Sequence, residues 1–394
     1  MGWLRFMVIN IILVLIYLVI ATGVFHSPEP GFVYDFEKQL KFNEVVATSD
    51  DTVVVVGAVK GDSYESGLNA FVAKINTAGE ILWSRSFGGA GDDEFYNIKR
   101  TADGFILVGA KAENLDLSTD GYVVKIDSQG QKQWGQSFAT QFNSIFTDLK
   151  IDKNGDLVLV GETEYATSEN NLNTNAYVVK TDSQGQKKWS KKFGGKNFTS
   201  AQAIADTSGQ DYYIAGHTNN EAGQKAWLLK INNDQQEWSK TYFAEGSSSF
   251  YNLEQLQNGQ LVAVGEANDK NSSGYVVQID QQGQQLKQHL VREEESSYSS
   301  FRTVLEVNPQ EIMLGGVIAV PLEFGNVKSI SYQNIAYVVR TDDNLAEEWT
   351  KKFARKKAGT LNGSAKINAE QIALVGNVSQ YEVDSKGYLI ILDK

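Results

Sequence analysis

The chain has 394 residues, 42% of them hydrophobic and 21% charged, with a formal net charge of -12 and no cysteine. That hydrophobic share belongs to a folded globular chain, and the acidic balance excludes nucleic acid, whose phosphates demand a basic face. The absence of cysteine excludes disulfides, thiolate metal sites, cysteine nucleophiles and a lipidated N-terminal cysteine, and three histidines in all give no basis for a zinc site; no metal or other cofactor is expected.

The first predicted element is a membrane segment. Phe6 to Phe25, FMVINIILVLIYLVIATGVF, is apolar except for Asn10 and Thr22 and carries no charge. Twenty helical residues at about 1.5 Å each reach about 30 Å, the thickness of a bilayer's hydrocarbon core. Arg5 precedes the segment, whereas Glu29, Asp35 and Glu37 follow it. The positive-inside rule therefore places residues 1–5 in the cytoplasm and the rest outside the cell membrane as a single-pass protein. The competing reading is a cleaved signal peptide, with Ala21 and Gly23 as the small residues before the cut. Residues 26–31, which include SPEPG, read as a linker.

From Phe32 to the end, one unit is written seven times. Its clearest line is a small residue, an aromatic, an apolar run and Asp or Asn, as in AFVAKIN from Ala70, GYVVKID from Gly121 and AYVVRTD from Ala336. The aromatics Phe71, Tyr122, Tyr177, Trp227, Tyr275, Tyr337 and Tyr388 mark the copies. They recur about every 50 residues, the length of a four-stranded propeller blade. Each copy opens on a short alternating strand such as YNIKRT from Tyr96, followed by a tight turn such as Asn154-Gly155. A second, apolar strand then ends on glycine: Gly57, Gly109, Gly161, Gly216, Gly265, Gly316 and Gly376. The small-aromatic line is the third strand, and a second turn such as DSQG from Asp127 leads to the fourth.

That fourth strand carries Trp with an aromatic four residues on: Trp83 and Phe87, Trp134 and Phe138, Trp189 and Phe193, Trp349 and Phe353. Trp238 and Phe243 stand one residue further apart, and the fifth copy has Leu286 and Lys287 where Trp is expected. An even spacing sets both rings on one face of a strand, where they fill the seam against the next blade. The seventh copy ends after its third strand, while FEKQLKF from Phe36 to Phe42 reads as a fourth strand with no repeat before it. The expectation is an all-β, seven-bladed β-propeller over residues 32–394, closed by this N-terminal strand and preceded by one transmembrane helix. Closure hides sheet edges that an open array exposes.

The stretch YVVKIDSQGQKQW from Tyr122, with Asp127, Gly130 and Trp134, resembles the tryptophan-docking repeat of the quinoprotein (PQQ-like) dehydrogenases and their non-catalytic relatives. Together with SFGGAGDDEF from Ser86 and TADGFILVG from Thr101, it is similar to repeats of secreted or membrane-anchored bacterial and archaeal propellers of unassigned function. The resemblance covers nearly all of residues 32–394 and implies a fold more than an activity, because its motifs are scaffold residues.

Function is sought on the face where second-to-third and inter-blade loops emerge. The longest such connection runs from Gly316 to Ala336 and is unusually apolar. The position just after each second-strand glycine reads Ala58, Ala110, Glu162, His217, Glu266, Val317 and Asn377. Glu162, His217 and Glu266 thus stand on three consecutive blades, and two carboxylates flanking an imidazole suit a cation or polar ligand. Lys99, Arg100, Lys150 and Glu254 lie on first strands, with the central channel as one destination. No catalytic residue is assigned: there is no Gly-x-Ser-x-Gly elbow, and DKNGD from Asp152 lacks the downstream Glu of a calcium loop and reads as a turn. The expected function is a non-enzymatic binding or scaffold propeller that recognises a protein or a cell-envelope polymer. The alternative is a quinoprotein-like or hydrolytic propeller enzyme using the same face.

Overall fold

The computed structural model describes residues 24–26, 31–34, 39–61, 67–112, 118–168, 171–205, 211–221, 223–232, 234–243, 246–268, 272–292, 296–324, 327–353, 358–379 and 385–393. Seven antiparallel sheets follow one another along the chain. Six are four-stranded meanders and the seventh has five strands. The first strands of the blades are Leu40–Ala47, Glu94–Arg100, Ser144–Ile151, Thr199–Ile204, Ser247–Gln255, Tyr298–Asn308 and Ala358–Lys366. They line a central channel, and the chain runs outward from them through the second, third and fourth strands of each blade.

The core is a stack of seams. On each second strand the marker glycine stands between an inner residue and the marker aromatic: Phe42, Gly57 and Phe71 in blade 1, for example. The two rings then face each other across a residue without a side chain. Phe95 and Tyr122 stack at 6.2 Å and 8°, Phe146 and Tyr177 at 5.9 Å and 14°, and Phe250 and Tyr275 at 5.6 Å and 10°. Where the inner residue is Ala201, the aromatic is the larger Trp227. The fourth strand of the preceding blade adds a third ring edge-on, as Phe87 does to Phe95 at 5.6 Å and Phe138 to Phe146 at 5.4 Å. Each buried ring contributes about 1.5–3 kcal/mol of apolar transfer, so the seams carry much of the stability.

The tryptophans sit one register step further along. Trp83 packs so closely on Gly130 in the turn of the next blade that a Cβ there would lie 2.7 Å from the indole. Trp134 does the same to Gly185, and Trp238 to Gly283. These glycines hold left-handed backbone, φ 78° at both Gly130 and Gly185, beside an Asp whose carboxylate accepts the turn's N–H groups. The Asp-to-Gly-to-Trp line is therefore a turn in one blade plus a ring lent by its neighbour.

Three sequence expectations are corrected by the register. The closing strand is Phe32–Tyr34, paired with Ser385–Asp393, and not the stretch from Phe36. Tyr34 opposes Gly387 as Phe87 opposes Ala70, whereas Leu40 to Phe42 begin the first strand of blade 1. Both Tyr34 and Phe42 are seam aromatics, which made their spacing ambiguous. A further strand, Val24–His26, pairs outside it and makes the fifth of that sheet. In blade 4 the position of the fourth-strand aromatic belongs to Tyr242, opposite Ala226, so the interval from Trp238 matches the other copies. Finally, Gly316 to Ala336 is not a loop. The strands Glu311–Phe324 and Val327–Asp342 continue as one long hairpin.

The expected membrane segment, 6–25, lies outside the described residues except for Val24 and Phe25, which are in the outermost strand. No helix among the described residues is long and apolar enough to cross a membrane.

Candidate functional site

Every first strand skips a residue just after the one opposite the marker glycine. The bulge is what requires glycine. A Cβ at Gly57 or Gly109 would lie 1.9 Å from the carbonyl oxygen of Lys41 or Glu94, and the other five glycines stand in equivalent contacts. The bulge also pushes one residue per blade toward the channel mouth: Asn43, Tyr96, Thr147, Gln202, Tyr251, Arg302 and Asn362. These seven residues ring a cavity of about 230 Å³, which shares Glu44, Asn97, Asp148 and Asn252 with a deeper cavity of about 480 Å³.

Part of this ring is a seam device. Asn362 donates to the carbonyl of Phe42 at 2.9 Å, Asn43 to that of Phe95 at 2.9 Å, and Thr147 to that of Ala201 at 3.0 Å. In each case a bulge residue satisfies the bulged carbonyl of the following blade. Arg302 differs. Its guanidinium lies over the ring of Tyr251, 3.9 Å from the centroid, with Nη2 3.5 Å from the Tyr298 hydroxyl. Among the described residues no carboxylate comes within ion-pair distance of it.

One residue inward, the bulge frees a backbone N–H, and polar side chains take it up. Glu44 accepts from Val45 at 2.8 Å, Asn97 from Ile98 at 2.7 Å, Asp148 from Leu149 at 2.7 Å and Asn252 from Leu253 at 2.8 Å. Enclosure by the blades pushes the Glu44 carboxyl up to about 8, against the pull of the Val45 N–H and Lys99. Burial likewise pushes Glu254, two residues further in from Asn252, up to about 7.

Of the residues singled out on first strands, Lys99, Arg100 and Glu254 line the deeper cavity. Lys150 does not: it is buried over the Tyr212 ring, 3.3 Å from the carbonyl of Asp211. The residues after the glycines sit one ring outside the mouth, and most face the next blade. Glu162 hydrogen-bonds Ser200, and burial raises its affinity for the proton. Glu266 accepts from the Tyr298 hydroxyl at 2.7 Å. His217 stacks on Phe198 at 5.5 Å; burial lowers its pKa, and Glu266 acts in the opposite sense. Asn377 accepts from the Phe42 N–H at 2.8 Å. The structure thus couples His217 to Glu266 and gives Glu162 a partner of its own on blade 4.

The turn at Asp152 holds an ammonium of the chain itself. Lys180 Nζ lies 3.2 Å from Asp152 Oδ2 and donates to the Tyr212 hydroxyl at 2.9 Å. The seven-residue mouth was not visible in the sequence, because a bulge leaves no compositional mark. The signal that existed was the glycine, whose need only the bulged carbonyl explains.

No protein-family model matches the chain, and no curated protein sequence matches it. Solved structures do. YCF48 bound to D1 peptide is similar over 95% of this chain and 99% of its own, with a TM-score of 0.53 and 10% identity. The puromycin hydrolase S511A mutant complexed with PGG matches 94% of this chain at a TM-score of 0.54 and 12% identity, and the chain spans 55% of its length. The β-propeller domain of the Trilobed protease from Pyrococcus furiosus, of open velcro topology, matches 89% of this chain and 94% of its own at a TM-score of 0.50 and 8% identity. These likenesses establish the β-propeller fold.

Proposed function

We propose that the chain is a non-enzymatic binding or scaffold propeller, held outside the cell membrane by residues 6–25, that recognises a protein through the face bearing its longest hairpins. The observation that carries this reading is the pair of hairpins that outgrow their blades. In blade 6 they are Glu311–Phe324 and Val327–Asp342; in blade 3, Leu157–Ser168 and Asn171–Thr181. Both rise from the end of the ring where second strands turn into third strands, three blades apart and so on roughly opposite sides of the channel mouth. Each presents a large apolar side chain to solvent: Tyr332 is 54% exposed and Leu172 52%. Exposed apolar groups on an extended, regular element suit a partner that covers them. YCF48, one of the similar structures, is bound to D1 peptide, which supports a protein partner. A cell-envelope polymer is the other ligand class suited to this position.

The test is crosslinking in native membranes with mass spectrometry, comparing the full chain with one in which Pro321–Tyr332 is replaced by Asn-Gly. Val320 and Gln333 are already paired, so a two-residue turn closes the shortened hairpin. A partner captured by the full chain and lost from the variant supports the reading. An identical crosslinking pattern for both overturns it.

A further inference from the structure

We propose that the channel mouth is a carboxylate-binding site in which the Arg302 guanidinium and the side-chain amides of Asn97 and Asn252 hold the anion. The proposal rests on the reading of this face as the binding face and adds a chemistry to it.

Three observations lead there. The Asn97 and Asn252 amides cannot flip freely, because each Oδ1 is held by the next residue's N–H, at 2.7 and 2.8 Å. Their Nδ2 groups therefore face the lumen, and neither donates to another described residue. Arg302 lines the same cavity, flattened on Tyr251. Glu266, the acid beside Tyr251 and Tyr298, is already engaged by the Tyr298 hydroxyl. The acids of the mouth point their oxygens at backbone instead. Asp148 accepts from the Leu149 and Ile204 N–H groups at 2.7 and 2.9 Å, and Glu44 from Val45 at 2.8 Å. What faces the lumen is thus an unpaired guanidinium and two amide donors, in a chain whose net charge of -12 should favour pairing any cation. A planar fork beside N–H donors matches a carboxylate. At about 230 Å³ the cavity admits one small acid or one acidic side chain.

The shared chemistry is a carboxylate, from a free small dicarboxylic acid or from an acidic residue of a bound polypeptide. The probes are glutarate, its diamide glutaramide, and the capped tripeptide acetyl-Gly-Glu-Gly-amide, titrated calorimetrically into the full chain in nonionic detergent. Arg302→Gln removes the charge. Asn252→Asp keeps the oxygen that accepts the Leu253 N–H but replaces the lumen-facing donor by a negative oxygen. Both variants are first checked for an unchanged thermal midpoint. The expected result is binding of glutarate or the tripeptide but not glutaramide, weakened at least about tenfold by each variant. Binding of the tripeptide alone identifies a polypeptide as the source; binding of glutarate alone identifies a free acid. Failure of both acids to bind, or equal binding by the variants, overturns the proposal. The hairpin crosslinking is read separately: a partner still captured by a chain that binds no carboxylate leaves the binding-face reading standing and removes only this site.

Discussion

Glu44 has Lys99 and Asp148 as its charged neighbours on the next two blades and the Ser364 N–H beside it on blade 7. Its carboxyl, ordinarily near 4.5, is pushed up to about 8 chiefly by enclosure. A group whose folded value is raised contributes its stability below the unfolded value and loses it as pH climbs toward the folded one. From pH 5 to pH 9 the protein should therefore lose stability relative to Glu44→Gln, by roughly 1–3 kcal/mol after allowance for channel water. Thermal melts of the two proteins across that range decide it; parallel curves would rule out a buried, proton-holding Glu44. Asp152 has the opposite slope. Burial, which would raise it, is outweighed by the Asn154 N–H, Lys180 and the Asp156 N–H, so its pKa is lowered. Its contribution is present above the unfolded value and vanishes as pH falls through the folded one. Asp152→Asn should accordingly differ most from the parent near neutral pH and converge with it in acid melts only as the pH falls below the ordinary carboxylate range.

Between residue and blade lies the seam, and the one between blades 5 and 6 is built differently. Lys287, opposite Gln278, stands where the other blades place Trp, and it donates to Asn344. The turn of blade 6 has Leu345 at φ 65° where blades 1, 2, 3 and 5 have Gly79, Gly130, Gly185 and Gly283, and that leucine is buried at 3% exposure. The leucine fills the volume that an indole takes elsewhere, so ring and glycine have been exchanged for lysine and leucine together. Lys287→Trp alone should cost about 1–3 kcal/mol by overpacking against Leu345, and adding Leu345→Gly should recover at least about 1 kcal/mol. Denaturant unfolding of the double-mutant cycle measures the coupling; additive effects would refute the exchange. At the bulges the tolerance is smaller. Gly109→Ala sets a Cβ 1.9 Å from the Glu94 carbonyl oxygen, and a loss above about 2 kcal/mol is expected in the same assay.

Blade count, strand order and these seam positions were legible in the sequence because each rests on a repeated residue type at a fixed spacing: Gly109 before Tyr122, Asp127 before Gly130 before Trp134. Lys287 was legible as a departure, but its meeting with the turn that holds Asn344 and Leu345 was not, since that contact joins a strand of one blade to the turn of the next. The mouth was hidden for the same reason. Asn97 and Asn252 recur at one repeat position, but Arg302 stands one position earlier in its own blade, and only ring closure makes the three neighbours. Glu162, His217 and Glu266 were visible as a set by their equivalent positions, yet Glu162 and Glu266 bond to different following blades and His217 stacks on Phe198.

Across the whole molecule, closure depends on Phe32, Val33 and Tyr34 meeting Leu389, Tyr388 and Gly387. The Tyr34 hydroxyl also donates to the Gly79 carbonyl at 3.0 Å, joining blade 7 to blade 1. Removing residues 1–34 should bare the edge of Ser385–Asp393, lower the thermal midpoint and yield larger species on size-exclusion chromatography. A monomer with an unchanged midpoint would show that the ring holds without its clasp. That clasp also sets an order of events during synthesis. The strand that shuts the ring precedes blades 1 to 6 in the chain and its mate follows them, and the Phe42 N–H waits 335 residues for the side chain of Asn377. Blades 1 to 6 can pair internally as they emerge, but a ribosome halted before Ser385 leaves an open fan, and any pull on the N-terminus falls on three residue pairs before it reaches a blade.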